Sequence, residues 1–416
     1  MHSFFIGKNK GDRQNMQNDK KNIELDAFFR THKYLVEHTD TPVHRLLMDE
    51  IDWEQRLIGI KGSRGVGKTT FLLSYAKQNF GTDKSCLYVN LNNFYFTEIS
   101  LIDFADKFRH QGGKVLLLDQ IFKYPDWSKE LRYCYDHFPD LKIVFTGSSI
   151  MRLKEENPDL QGCVASYILR GFSFREFLNL MAGTNFPAYS LNEITERHEK
   201  ICDEILRIIK PQDYFQDYLH HGYYPFFLEK RNYSENLLKT INITLEIDIL
   251  LLKQIELSYL SKIRKLLYLL ANNEPGTPNV SQLSSDIQTS RATVMNYMKY
   301  LKEARLLNIL YKKGDDSSKK PEKVYLQNTN LIYAFWPVQI ADQSVKETFF
   351  YNSLIRKHNV HSGEKNAHFL IDGETRFSIQ AGSLDKKKSK ADYIAVDNID
   401  KGEDNRIPLW LFGFLY

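Results

Sequence analysis

The sequence predicts an α/β protein that begins with a parallel sheet and continues into helical and mixed segments. Two observations carry this prediction. Short apolar runs alternate with helical patterns between residues 57 and 169, which is typical of a parallel sheet. From residue 174 to about 260 the pattern becomes almost entirely helical and aromatic. Because 416 residues exceed one compact core, we expect several domains.

Apolar runs of three to five residues mark the strands of the predicted sheet. Helical patterns lie between them, and in Trp127–Phe138 the apolar residues recur at helical spacing. Before the first strand, residues 23–52 are predicted to be helical in two pieces, divided near Pro42. The five predicted strands are Leu57–Lys61, Cys86–Asn90, Val115–Asp119, Ile143–Gly147 and Tyr167–Leu169.

The second half of the chain is predicted to hold a small helical module and a mixed end. Ile263–Leu310 reads as helices that end in a strand, and the polar run at residues 312–323 suits the tip of a hairpin. The end is predicted to contain one helix and three short strands. These are Glu347–Lys357, and then His368–Ile371, Arg376–Ile379 and Tyr393–Val396.

The composition is that of an ordinary globular protein. Hydrophobic residues make up 42% and charged residues 26%, and the net charge of +4 is too small to predict nucleic-acid binding by itself. There is no apolar run that could span a bilayer and no charged-then-apolar leader, so we expect no membrane association. Four scattered cysteines argue against zinc and disulfides, and they fit a reducing cytoplasm.

One segment fits the pattern G-x-x-x-x-G-K-[ST] of a phosphate-binding loop, and it lies between a predicted strand and a predicted helix. Its residues are Gly62, Ser63, Arg64, Gly65, Val66, Gly67, Lys68 and Thr69, and we add Thr70 to the site. Glycines let successive N–H groups point at a phosphate, and Lys68 should bridge the β- and γ-phosphates. We therefore expect ATP to bind here. A GTP-specific motif is not evident, and the alternative is a glycine-rich turn with a surface lysine.

Magnesium-bound ATP also needs a carboxylate at the end of a neighbouring strand. Asp119 follows four apolar residues, and we predict that Thr69 and Asp119 hold Mg²⁺; the alternative is an aspartate that caps a helix. Gln120 stands where P-loop ATPases usually keep a glutamate, and an amide cannot take a proton from water. Gln120 and Ser148 are the weaker catalytic candidates. Ser148 would sense the γ-phosphate, although a role in capping the next helix fits its position equally well.

These motifs together resemble the prokaryotic AAA-class ATPases that carry a C-terminal domain of uncharacterised function. The resemblance rests on the phosphate loop and on residues 116–149, 169–180 and 214–229, and it runs from about residue 45 to the end. It implies a five-stranded AAA-type sheet in which the strand of Thr146 lies between those of the phosphate loop and Asp119. It also implies a helical lid, a winged helix and a small α/β domain distantly similar to restriction-type nucleases.

With this resemblance, the chain divides into five predicted parts. They are a mobile N-terminal arm (1–22), a P-loop nucleotide-binding α/β domain (23–180), a helical lid (181–260), a winged-helix-like domain (261–335) and a nuclease-like α/β domain without expected catalysis (336–416).

Three departures from the family pattern predict weak turnover. Gln120 and Phe122 replace a glutamate and a histidine, Gln161 begins the segment where the family has an arginine pair, and Ser378 replaces a nuclease-like acid. We therefore predict a nucleotide-dependent switch with weak or no hydrolysis. The alternatives are a slow or partner-activated ATPase, with a protein partner or a second copy of the chain, and a DNA-binding regulatory protein.

The DNA-binding alternative depends on the helix predicted after residue 290. In a DNA-binding winged helix the exposed face of this helix enters the major groove, although many winged helices bind only protein. The lysine cluster Lys386–Lys390 is read as a phosphate contact or, more simply, as a solvated loop. The outward candidates for duplex DNA are Arg291, Asn296, Lys299 and Lys302.

Overall fold

The protein is described by a computed structural model that contains two five-stranded sheets and a two-stranded antiparallel pair in its described part. The described residues are 25–40, 42–151, 153, 157–229, 232–272, 276–315, 319–335, 341–363, 367–380 and 391–416. The predicted arm at 1–22 and the cluster Lys386–Lys390 lie outside them.

The first sheet is parallel throughout. Its strands are β1 (Leu57–Gly62), β2 (Cys86–Asn90), β3 (Val115–Asp119), β4 (Lys142–Ser148) and β5 (Ala165–Ile168), in the order β2-β3-β4-β1-β5. The predicted fold class is confirmed, and the strand of Thr146 lies between those of the phosphate loop and Asp119, as the resemblance implied. The fifth strand begins two residues earlier than predicted. It is an edge strand whose alternate residues are exposed, so its apolar run is short.

Both faces of the first sheet are covered, which explains its nearly continuous apolar strands. Leu116 and Leu118 of β3 pack on one face with Phe104 and Leu131, whereas Leu117 packs on the other face with Phe71. The surrounding helices are α1 (25–38), α2 (Leu47–Glu50), α3 (Lys68–Asn79), α4 (Leu101–His110), α5 (Trp127–His137) and α6 (Phe174–Ala182).

The middle of the chain is helical, as predicted, and includes two π-helical segments, Tyr218–Gly222 and Thr244–Leu251. Its α-helices are α7 (Leu191–Leu206), α8 (Gln212–Asp217) and α9 (Tyr233–Ile243). There follow α10 (Leu260–Ala271), α11 (Val280–Asp286), α12 (Arg291–Glu303), the antiparallel pair β6 (Leu307–Leu310) and β7 (Lys323–Leu326), and α13 (Thr329–Phe335). Three helices and a hairpin are the elements that a winged helix needs; that identification stays a prediction.

The second sheet is mixed and forms the end of the chain. Its elements are α14 (Asp342–Leu354), β8 (Val360–Ser362), β9 (Phe369–Ile371), β10 (Thr375–Gln380), β11 (Tyr393–Val396) and β12 (Arg406–Pro408). The strand order is β12-β11-β10-β9-β8, with β10, β11 and β12 parallel and β8–β10 antiparallel. The sequence prediction missed β8 and β12, whose sequences Val-His-Ser and Arg-Ile-Pro contain no apolar run, and it began α14 five residues too late. No helix in the described ranges combines the length and apolar character needed to cross a membrane.

Glu176 joins the segment before the first sheet to the start of α6. Its carboxylate accepts hydrogen bonds from Ser173 N at 3.1 Å, Arg45 Nε at 3.2 Å and Leu46 N at 3.2 Å, and it is only 2% exposed. Arg45 in turn donates to the carbonyl of Val66 in the phosphate loop at 3.2 Å. Glu176 therefore supports the loop through Arg45.

Replacing Glu176 with alanine should lower the free energy of unfolding by about 3 kcal/mol, because two N–H groups lose their acceptor and the Arg45 side chain, which is 12% exposed, loses its charged partner. The matched control is Glu193→Ala, which removes the same kind of capping box from the exposed start of α7 and should cost about 1 kcal/mol or less. Urea unfolding followed by circular dichroism measures both values. Equal losses would contradict the role of the Arg45 contact.

Candidate nucleotide-binding site

The loop between β1 and α3 has the backbone conformation that its glycines permit. Gly65 and Gly67 have φ values of 80° and 89°, in the left-handed region that other residues rarely adopt. A Cβ atom on Gly65 would also lie 2.9 Å from the ring of Phe226. Helix α3 starts directly after Gly67, so the N–H groups of its first turn face the loop.

A cavity of about 480 Å³ lies over this loop, and its volume suits a nucleotide-sized ligand. Register brings the ends of the strands together there, since Gly62 of β1 pairs with Ser148 of β4. The wall opposite the sheet comes from the helical region, including Phe226 and Asp248. The cavity is therefore built by two parts of the chain.

Thr69 and Asp119, the predicted metal ligands, are in direct contact. Thr69 Oγ1 donates to Asp119 Oδ2 at 2.7 Å, the Tyr88 hydroxyl donates to the same oxygen at 2.9 Å, and Thr146 donates to Oδ1. Burial, and then the charge of Asp119, raise the pKa of Tyr88, which keeps its hydroxyl a donor. Hydroxyl and carboxylate oxygens are ligands that Mg²⁺ prefers, so Thr69 and Asp119 fit this ion.

Lys68 folds back onto its own loop. Its Nζ donates to the carbonyl oxygens of Gly62 and Ser63, both at 2.8 Å. Burial lowers the pKa of Lys68 to about 8, while the nearby charges of Asp248 and Asp119 oppose this shift. Phosphate oxygens would be stronger acceptors than these carbonyls, because a hydrogen bond between charged groups is stronger than one to a neutral group.

The two weaker candidates also line the cavity. Gln120 has a φ of 59°, and its N–H donates to Asp119 Oδ1 at 3.1 Å and to Thr146 Oγ1 at 3.0 Å. This conformation is uncommon for a residue other than glycine, and strained backbone of this kind is often found at functional sites. Ser148 is 3% exposed, and its Oγ has no hydrogen-bond partner among the described residues, so this oxygen is available to a ligand.

The sequence does not indicate Asp248 as the partner of Arg64. The guanidinium donates to Asp248 Oδ1 from Nε at 3.2 Å and from Nη2 at 2.8 Å, and it also lies 5.5 Å from the ring centre of Phe122. Asp248 lies 184 residues further along the chain, in the π-helical segment Thr244–Leu251. Two acids inside an apolar helical run, Glu246 and Asp248, were the available signal, although they do not identify the partner.

The residues predicted to face DNA are all exposed on α12, and none of them lines the cavity. In the end domain, Glu347 is bound by Lys323 at 3.0 Å and Tyr325 at 2.8 Å, while Asp372 binds His358 instead. The described residues contain no group of three or more His, Cys, Asp or Glu side chains placed to hold a metal ion. The absence of catalysis in this domain stays a prediction.

Residues 54–178 match the family described as an AAA domain. This segment contains the phosphate loop, Asp119 and Ser148, and its five-stranded parallel sheet matches the AAA-type P-loop fold. The AAA-type fold supports nucleotide binding in the cavity described above. A second match, to a domain of unknown function (DUF8612), covers residues 212–341 and so contains Phe226 and Asp248. It crosses the boundary that the sequence predicted at residue 260.

Among proteins similar to this chain is an uncharacterized protein of Methanocaldococcus jannaschii, MJ1637. It is 27% identical over 301 residues, which are 68% of this chain and 63% of that protein, so the match spans less than two thirds of its length. Solved structures with weaker likeness include Thermotoga maritima RuvB (13% identity, 70% of this chain and 89% of that chain, TM-score 0.25). Another is Aeropyrum pernix ORC1 in complex with DNA (10% identity, 80% and 93%, TM-score 0.27). At these TM-scores neither structure bears on the function of this chain.

Affinity for ATP should fall as the pH rises through the pKa of Lys68. Phosphates bind the protonated amine, and above about pH 8 the ligand-free protein must first take up a proton. Between about pH 7.5 and pH 9 the dissociation constant for ATP should rise roughly eightfold. Calorimetric titrations across this range test the prediction. Lys68→Arg is the control, because its guanidinium stays charged and its pH profile should be flat; a flat wild-type profile would contradict the prediction.

Proposed function

We propose that this chain is an ATP- and Mg²⁺-binding switch with weak or no intrinsic hydrolysis. The observation that carries the proposal is the two-sided construction of the cavity: the AAA-type domain supplies one wall, and the helical region of Pro225–Glu229 and Asp248 supplies the other. A nucleotide in this cavity would touch both walls. Its arrival would therefore change how the helical region meets the sheet, and through it the part of the chain that follows.

In this proposal each group at the loop has one task. The loop N–H groups and Lys68 hold the phosphates, and Thr69 and Asp119 hold Mg²⁺, which when bound neutralises part of the phosphate charge. Ser148 contributes its unpartnered hydroxyl to the terminal phosphate. Gln120 orients a water molecule but leaves its proton in place, which is the reason to expect weak turnover.

Gln120→Glu should raise ATP turnover above that of the wild type, because it restores a proton acceptor at the cavity wall. Lys68→Ala should abolish binding. We would measure turnover by phosphate release and affinity by calorimetry for all three proteins, with Gln111→Glu as a control that adds the same charge after α4, outside the residues that line the cavity.

Two outcomes would reject the proposal. Efficient hydrolysis by the wild type, lost on Lys68→Ala, would make the chain a working ATPase and the interpretation of Gln120 wrong. If the wild type does not bind ATP, the chain is not an ATP-dependent switch.

A slow or partner-activated ATPase is the second candidate, and the positive φ of Gln120 favours it, because a strained backbone at a residue that lines the cavity is typical of functional sites. A cation supplied by a partner protein or by a second copy of the chain would raise the rate by ~10³–10⁵. Turnover per molecule that increases with protein concentration would support a second copy, whereas a constant low rate would favour the switch.

The DNA-binding alternative depends on the exposed polar face of α12. If it holds, duplex DNA should bind with an affinity that falls steeply with salt, and the double variant Arg291→Ala/Lys299→Ala should weaken binding and reduce the salt slope by about two. The control is Lys265→Ala/Lys239→Ala, which removes two cations from neighbouring helices. Fluorescence anisotropy with a labelled duplex measures both effects, and equal loss in both variants would contradict a specific role for α12.

A further inference from the structure

The ion pair between Arg64 and Asp248 is unusual because only half of the carboxylate is used. Asp248 is 0% exposed, and Oδ1 takes both hydrogen bonds from Arg64. Its other oxygen, Oδ2, is buried and has no hydrogen-bond partner in the part of the chain that the structure describes. A buried carboxylate oxygen without a donor is costly, so a pair that served only stability would be expected to satisfy both oxygens.

The position of the pair connects it to the phosphate site. Both residues line the cavity, and Arg64 belongs to the loop itself. The side chain of Arg64 is 24% exposed, so it can turn toward a ligand, and the cost of leaving Asp248 buried without its partner opposes this movement. A terminal phosphate in this cavity would offer Arg64 a second anionic partner, and it would place a further negative charge near Asp248.

A second pair on the same π-helical segment shows what an ordinary contact looks like there. Glu246 Oε1 accepts a hydrogen bond from Arg264 at 2.7 Å, and both side chains are more than two-fifths exposed. This pair does not line the cavity. Because it differs from the Arg64–Asp248 pair in burial and in location, it provides a matched control.

We propose that Arg64 makes the site favour nucleoside triphosphate over diphosphate, and that Asp248 limits this preference by competing with the γ-phosphate for Arg64. This inference rests on the proposed nucleotide-binding function. With diphosphate bound, Arg64 keeps its bond to Asp248. With triphosphate bound, Arg64 transfers to the γ-phosphate and the Thr244–Leu251 segment loses its contact with the loop.

The release of Asp248 has a path to the rest of the chain. The segment is π-helical, a form that is costly to maintain and is frequent at functional sites, and it continues into Lys253. Lys253 Nζ lies 3.4 Å from Glu303 Oε2 at the end of α12, and both side chains are largely buried. A shift of the segment would therefore reach α12 through a short connection.

The test compares affinities for the non-hydrolysable triphosphate analogue AMP-PNP and for ADP, both with Mg²⁺. Asp248→Asn keeps the shape of the side chain and its acceptor for Arg64 but removes the charge that opposes the γ-phosphate. AMP-PNP should then bind about tenfold or more tightly than to the wild type, while affinity for ADP changes by less than about threefold. Glu246→Gln should change neither affinity. Arg64→Gln should weaken AMP-PNP down to the affinity for ADP.

A second measurement follows the segment itself. Leu251 is 58% exposed, whereas the four native cysteines are buried, so Leu251→Cys can be labelled selectively with an environment-sensitive fluorophore. In otherwise wild-type protein the signal should change with AMP-PNP and not with ADP. In Asp248→Asn, where Arg64 is held only by a neutral acceptor, AMP-PNP should produce the same change at a lower concentration, and ADP should again produce none. This readout would remain useful if Asp248→Asn lowered stability without unfolding the chain.

The outcomes separate the two proposals. If neither wild type nor Asp248→Asn binds either nucleotide, the proposed function fails. If both nucleotides bind but Asp248→Asn changes their affinities equally, Asp248 has only a structural role and the competition is wrong. If Asp248→Asn lowers turnover and leaves both affinities unchanged, Asp248 acts as the proton acceptor that Gln120 cannot be, and the competition is again wrong.

Discussion

The carboxylate of Asp119 is the interaction on which the arrangement of the site depends. Its two oxygens receive hydroxyl groups from three different elements: Tyr88 from β2, Thr69 from α3 and Thr146 from β4. The backbone N–H of Gln120 closes the set. One buried charge therefore fixes the ends of neighbouring strands against the start of the helix after the loop. The same oxygens that hold the fold are those that a divalent cation would use.

Away from this edge, the strands of the first sheet carry few polar side chains. The interiors of β1 to β4 are formed mainly by apolar residues that pack on two faces, and polar side chains concentrate where these strands end. Parallel strands bring all their carboxyl ends to one edge, so residues far apart in the chain meet there. The helical region then closes over this edge with Phe226 and Asp248.

Much of the first domain could be predicted because its signals are local. The phosphate loop lies within eight residues, and the strands β1 to β4 are apolar runs that need no partner to be recognised. The contact between Thr69 and Asp119 followed from the rule that all strands of a parallel sheet have their carboxyl ends at the same edge. By contrast, nothing in the sequence near Tyr88 or Asp248 indicates that each would lie beside the site, because Tyr88 lies in the middle of a strand and Asp248 lies in a helical segment 184 residues after its partner Arg64.

The second sheet shows where prediction from local sequence signals fails. β8 and β12 are three residues long, and their pairing is set by neighbours rather than by their own pattern. The positive φ of Gln120 could not be predicted from the sequence either, because glutamine has no preference for a positive φ. It adopts one because its N–H is held by Asp119 and Thr146. Local sequence propensity predicts helices and strands, whereas a backbone conformation such as that of Gln120 depends on contacts made at the edge of the folded sheet.

The ring of Phe226 over Gly65 has a consequence for how this architecture can change over time. The loop belongs to the segment that matches the AAA domain, whereas the ring belongs to the segment that matches the domain of unknown function. Neither segment has a complete nucleotide cavity alone. A recombination event, or a chimera made in the laboratory, that joined one segment to a foreign partner would have to re-establish the fit between a glycine without a side chain and an aromatic ring. The two segments are thus expected to be inherited as a unit.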